Sequence, residues 1–190
     1  MDPKRDLPWA LLGAAYYSAA VHSPDGGRAL LDESVRSYRK ALAIASVAAY
    51  HNNLGNSYIK LKQYDEAIQQ YREANVLNPA QAALYQQNIG LALVEQAQSR
   101  PDDSSLQLLQ AALDAFNRTL TSGRPTNTEL LYWKGVCQLR LAANGLGSYD
   151  GVADAFQQYL KLAPQGRFAA EAQAMLQALP GVARSKAAGQ

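Results

Sequence analysis

Histidine and cysteine are almost missing from this sequence, and their scarcity removes whole classes of chemistry. His22 and His51 are the only histidines among 190 residues, neither lies in an HExxH pattern, and Cys137 stands alone. A single cysteine makes neither a CxxC pair nor an intrachain disulfide, so no zinc-ligand spacing and no disulfide framework can be read. An excess of either charge is lacking too. There are 18 Lys and Arg against 16 Asp and Glu, and residues 1–95 and 96–190 hold nine against nine and nine against seven. Neither half is basic enough to argue for nucleic acid or a membrane surface as partner. Apolar runs fall far short of a bilayer span, and the opening MDPKRDLPWALLGAAYYSAAV shows no signal-peptide cleavage pattern. The expectation is a soluble protein or a soluble piece of a larger one, cytoplasmic by default, with no membrane insertion, metal or cofactor.

Few groups remain for catalysis. GLGSYDG resembles a phosphate loop only superficially, because Asp150 replaces the third glycine and helical patterns flank it on both sides. It reads as a connector. The adjacent carboxylates Asp32-Glu33 and Asp102-Asp103 fall near expected helix starts, where the helix dipole favours negative charge. Capping accounts for them without acid-base work, and the expectation is a non-enzyme.

What the chain does have is self-similarity. YHNNLG at residues 50–55 returns thirty-five residues later as YQQNIG at 85–90. Around the first copy, AAYHNNLGNSYIKLKQYDEAIQQYREANVLNP reads as two amphipathic helices. Leu54, Gly55, Tyr58 and Leu61 recur at helical spacing in the first, and Tyr64, Ala67, Ile68, Tyr71, Ala74 and Leu77 in the second, before Pro79 ends the pair. Small residues set against tyrosines at fixed intervals form a packing code, and one such pair cannot bury its apolar face alone. Weaker copies supply neighbours: LPWALLGAAYY with LDESVRSYRKALAIA, YQQNIGLALVEQA with LQLLQAALDAFNRTL, and TELLYWKGVCQLRLA with GSYDGVADAFQQYLKLAP. Gly13 to Ser34 is 21 residues, Gly90 to Ala112 is 22 and Gly135 to Val152 is 17, against 12 from Gly55 to Ala67. Three copies are therefore stretched at the turn inside the pair.

The Leu-Gly, Tyr, Tyr-Asp-Glu-Ala, Tyr, Ala and Asn-Pro of residues 48–81 resemble a tetratricopeptide repeat. The resemblance implies an all-α fold, a right-handed superhelix or solenoid of about four helix pairs. The array would run over 6–164, with repeats at 6–46, 48–81, 83–125 and 128–164. A capping helix would follow over 167–180, with Phe168, Ala172, Met175 and Leu179 on one face, and then a disordered tail over 181–190. His51, Gln86 and Leu131 depart from the family's usual Trp or Tyr. Cys137 stands where the family packs a small residue, which implies a buried thiol rather than a nucleophile.

The family lines its concave side with the first helix of each pair. With Leu54, Gly55 and Tyr58 turned inward, helical geometry at about 100° per residue turns Ala49, Asn53, Asn56 and Lys60 outward. The matching positions are Leu84, Asn88, Leu91 and Glu95, then Glu129, Trp133, Val136 and Arg140, and in the first copy Leu7, Leu11, Ala14 and Ser18. An amide donates and accepts at once, which suits Asn53 and Asn88 to hold peptide backbone as two rungs of the family's asparagine ladder. That role and simple recurrence of a consensus asparagine are equally open. Leu84, Leu91, Trp133 and Val136 would receive apolar side chains unless the C-terminal helix folds over them, and Lys60 and Arg140 would favour an acidic partner. Asn52, Leu84 and Asn88 stand where a carboxylate clamp needs bases, which argues against such a clamp.

The expected function is a non-catalytic protein-protein interaction module holding a protein or peptide partner in a groove. The alternatives are a self-associating scaffold, with homo-oligomers, and a regulatory domain of a larger protein.

Overall fold

The computed structural model describes residues 6–100, 102, 104–121 and 127–180. The tail expected to be disordered, 181–190, lies outside the described residues. Those described hold nine α-helices, one 3-10 turn and no strand: α1 (Leu7–Val21), α2 (Arg28–Ile44), α3 (Ala48–Lys60), α4 (Tyr64–Leu77), the turn Pro79–Gln81, α5 (Ala82–Ser99), α6 (Ser104–Thr121), α7 (Glu129–Ala143), α8 (Tyr149–Leu162) and α9 (Ala169–Ala178). None of these helices is long and apolar enough to cross a membrane. The contacts divide the chain into two compact units, Met1–Gln96 and Ala97–Gln190, with the division inside α5.

Local chemistry sets the helix ends. Pro8 lies in the first turn of α1, where its missing N–H costs no intrahelical bond. Asp65 and Glu66 occupy the first turn of α4 and complement its dipole. Ser148 caps α8 by accepting from Asp150 N at 3.1 Å, and Asp102 Oδ1 accepts from Ser104 N at 3.0 Å at the start of α6. The other carboxylate pair behaves differently. Asp32 and Glu33 lie a turn inside α2, which has no acidic residue in its first turn, and Glu33 pairs with Arg36 instead. Helix α2 starts after Gly27, at φ 56°, where a Cβ would meet Ala20 Cα at 2.6 Å. The turn SPDGG therefore needs glycine for its backbone conformation and for the close approach.

In the N-terminal unit α1 packs on α2, α2 on α3, and α3 on α4. The interlock within a pair is a glycine facing a ring: a Cβ at Gly13 would lie 2.9 Å from Tyr38, and one at Gly55 would lie 2.6 Å from Tyr71. Tyr38 and Tyr71 are themselves buried, beside Ala41, Ala67 and Ala74. Buried Ser34 donates to Gly13 O at 2.8 Å within the first pair and meets Ser57 Oγ of the next pair at 2.9 Å, satisfying polar groups that packing has removed from water. His51 joins α3 to α4 through Nδ1 and Gln70 Oε1 at 2.7 Å.

The C-terminal unit repeats the device: a Cβ at Gly135 would lie 2.6 Å from Phe156. Here α6 packs on α7, α7 on α8, and α8 on α9. Phe168 sits at the N-cap of α9, stacked on Tyr132 with centroids 4.3 Å apart and rings 4° from parallel. Its backbone N–H donates to Tyr159 Oη at 3.0 Å. A ring stack and a backbone bond thus hold the start of α9, while Ala172 and Leu179 are buried in the cluster below it.

Candidate functional site: the amide-lined groove of the N-terminal unit

Two cavities of the N-terminal unit share Tyr17 and Asn56 as walls. One, about 150 Å³, is lined by Ala14, Tyr17, Tyr38, Asn53 and Asn56. The other, about 210 Å³, is lined by Tyr17, Asn56, Ile59, Lys60, Tyr71, Asn88, Leu91, Ala92 and Glu95. Of the ten residues expected at the groove, Asn53, Asn56, Lys60, Asn88, Leu91 and Glu95 line this pair of cavities. Leu84, 42% exposed on α5, lines neither.

The amides do not hang free. Tyr71 Oη donates to Asn56 Oδ1 at 2.8 Å, and Tyr38 shares the smaller cavity's wall with Asn53. Asn88 Nδ2 donates to Asn52 Oδ1 at 3.0 Å, joining α5 to α3, and Asn52 Nδ2 reaches Asn53 Oδ1 at 3.4 Å. These bonds orient the rungs. With Oδ1 of Asn56 occupied, its amide N–H groups are left to donate, and with Nδ2 of Asn88 committed to Asn52, its Oδ1 is left to accept. Desolvation raises the pKa of Tyr17, Tyr38 and Tyr71, so all three hydroxyls stay neutral and keep their protons.

Trp133, Val136 and Arg140 lie on α7, in the other unit. Trp133 and Val136 are partly buried against the aromatic cluster of that unit, and Trp133 meets both Tyr132 and Phe168 edge-on, with centroids at 5.2 and 5.4 Å. Residues of the chain's own C-terminal segment occupy part of the surface expected to receive a partner's apolar side chains. Arg140 is exposed. Cys137 is fully buried, and desolvation pushes its thiol up to about 12, so it stays a protonated packing group.

A family model described as tetratricopeptide repeat matches residues 48–81, which comprise α3, α4 and the 3-10 turn. A solved structure entitled "Crystal structure of MamA" superposes with a TM-score of 0.65 and 18% identity, over 86% of this chain and 81% of that one. Residues 48–81 thus match a tetratricopeptide repeat, within a chain whose all-α fold resembles that solved structure. A second neighbour, "Crystal structure of APC/C hetero-tetramer Cut9-Hcn1", gives 0.64 and 17% over 90% of this chain, which spans 30% of that one. At such identities the likeness is one of fold. No curated protein matches the sequence significantly.

Tetratricopeptide repeats build protein-protein interaction scaffolds, and this chain contributes wall residues that groove register alone does not pick out. Tyr17 and Ile59 each follow a packing glycine by four residues, one step off the outward register, yet both line a cavity. Tyr38 and Tyr71 rise from the second helices to reach the amides from below. Their signal in the sequence is a tyrosine four residues after the small residue of the second helix, Ser34 or Ala67.

Proposed function

We propose that this tetratricopeptide-repeat chain is a non-catalytic interaction module that holds an extended peptide across α1, α3 and α5 of its N-terminal unit. The observation that carries the reading is the set of oriented amides on two adjoining cavities, Asn53 and Asn56 in one and Asn56 and Asn88 in the other. Peptide backbone presents alternating N–H and C=O groups whatever its side chains. Asn56, with free N–H groups, and Asn88, with a free Oδ1, offer the complementary pair. Leu7 and Leu11, 49% and 61% exposed on α1, and Leu84 on α5 would contact apolar side chains beside it. The second neighbour is a hetero-tetramer by its title, in keeping with a fold that holds protein partners.

The test is selection of peptides from a random library, followed by calorimetry against wild type, Asn53→Ala/Asn88→Ala and Asn56→Ala. Selected peptides should bind the folded variants about tenfold more weakly or worse, since each lost pairing leaves a peptide group unsatisfied. Equal binding by folded variants removes the groove from consideration.

Self-association is favoured by one specific observation. Helix α1 carries no charged side chain and leaves Leu7, Leu11, Leu12 and Val21 exposed. A chargeless apolar face suits contact with its own copy, because no like charges are brought together. Light scattering over a concentration series that shows only monomer sinks this second reading.

A further inference from the structure

Charge is placed unevenly on the inner helices of the N-terminal unit. Helices α1 and α3, with residues 82–96 of α5, hold two charged side chains, Lys60 and Glu95, and both line the 210 Å³ cavity. They do not neutralise each other by contact: neither has an ion pair or hydrogen bond among the described residues. Their surroundings differ. Lys60 is exposed and keeps its hydration. Glu95 is reached by solvent but partly desolvated, which raises its carboxyl pKa, with Lys60 and Lys62 acting in the opposite direction. A carboxylate that has given up water without gaining a donor is stabilised by a cation bearing N–H groups.

The other walls fit the same ligand. Asn88 Oδ1 is an open acceptor because its Nδ2 is bonded to Asn52. The Tyr17 hydroxyl has no hydrogen-bond partner among the described residues and adds a second acceptor. Ile59, Leu91 and Ala92 supply an apolar lining for a hydrocarbon stem. At about 30 Å³ per water the cavity holds roughly seven waters, the size of one side chain rather than of a chain segment. An anion drawn in by Lys60 would face the Glu95 carboxylate and the Asn88 carbonyl oxygen, so this wall opposes the acidic partner that Lys60 alone suggests.

We propose that this cavity takes a cationic group of the bound peptide, a lysine or arginine side chain or a free N-terminal ammonium. Glu95 is its counter-ion, and Asn88 Oδ1 and the Tyr17 hydroxyl are further acceptors. The inference rests on the peptide-groove reading for the source of the cation. Lys60 acts as the repulsive neighbour that limits affinity, so removing it strengthens binding and removing Glu95 weakens it.

The test follows the side-chain amide NMR signals of Asn56 and Asn88 in the full chain during titration with small probes. N-acetyl-lysine amide and N-acetyl-arginine amide present a side-chain cation, glycine amide presents an α-ammonium, and N-acetyl-glycine amide and acetate are the neutral and anionic controls. At least one cationic probe should shift both signals saturably. Its affinity should fall about tenfold or more in Glu95→Gln and rise in Lys60→Gln. The probe that binds best identifies the source of the cation. Equal binding of a control, binding insensitive to Glu95→Gln, or no shift from any probe overturns the inference. Library-selected peptides separate it from the groove reading. Groove binders without a basic residue or need for a free N-terminus, alongside inert cationic probes, leave the groove and sink the cation site. Probe binding without any selected peptide does the reverse.

Discussion

The hydroxyl of Tyr71, a residue packed against Gly55, donates to Asn56 Oδ1 at 2.8 Å and so sets how a wall amide faces the cavity. One hydrogen bond ties the packing to the wall. Tyr71→Phe keeps the ring against Gly55 and removes only that bond. The expected loss is about 0.5–1.5 kcal/mol in urea unfolding, together with weaker capture of selected peptides because Asn56 can then flip. Tyr71→Ala should cost about 3–5 kcal/mol through the cavity it opens. A Tyr71→Phe variant that binds peptide as wild type does would show that Asn56 orientation is irrelevant.

Gly55→Ala should destabilise although the site is helical. Alanine ordinarily gains up to about 1 kcal/mol over glycine inside a helix. Here its methyl would lie 2.6 Å from Tyr71, and overpacking of that kind costs about 1–3 kcal/mol. Gly135→Ala, at the same distance from Phe156, should behave alike. A rise in the urea midpoint of either variant would mean that the aromatic ring moves aside freely.

Cys137 offers a test of burial by reaction rate. With its thiol pushed up to about 12 and no exposed surface, it should resist alkylation in the native chain at pH 7 to 9. Across that range an ordinary thiol, with a pKa near 8.5, reacts progressively faster. Labelling should appear in step with unfolding in urea. Rapid labelling of the native chain would place Cys137 at an opening rather than in the core.

Glu95 should make stability depend on pH. Its native pKa is raised above the ordinary value of 4.5, so between that value and the raised one the native chain binds more protons than the unfolded chain. The contribution is fully present below the unfolded pKa and is lost as pH rises through the native one. Glu95→Gln should therefore melt above wild type at pH 7, and the difference should vanish near pH 3. A variant less stable than wild type at pH 7 would show that the carboxylate already has a stabilising partner.

Much of this architecture was legible in the sequence because its determinants are local and periodic. Gly55, Ala67, Tyr71 and Ala74 lie within a single helix pair, and their small-large alternation reports the pairing. The outward register of α3 and α5 likewise groups Asn53, Asn56, Lys60, Asn88, Leu91 and Glu95, which line two adjoining cavities. What escaped depends on contacts across sequence distance or on rotamers. Phe168 stacking on Tyr132 is one case: the sequence put Phe168 within the last helix, whereas it precedes the helix and its ring meets α7. The role of Asp32 and Glu33 is another, since the SPDGG turn ends sooner than charge alone suggests and leaves them inside α2. The bond of Asn88 to Asn52 rather than outward to solvent is a third, for periodicity gives the direction of a side chain and not its partner.

The ring facing each helix-pair glycine has one further consequence. Phe156 fills against Gly135 the place that Tyr38 and Tyr71 fill against Gly13 and Gly55, so the phenolic oxygen is dispensable for packing. The oxygen is present where the wall carries an amide, Asn53 on the cavity it shares with Tyr38 and Asn56 bonded to Tyr71. It is missing in the pair whose residue after the glycine is Val136. In the second pair polarity is thus encoded twice, at Asn56 on the wall and as the single Tyr71 oxygen in the interior. The two copies must change together: an aliphatic residue at 56 strands a hydroxyl in the dark of the core, and a tyrosine at 156 creates one with nothing to hold.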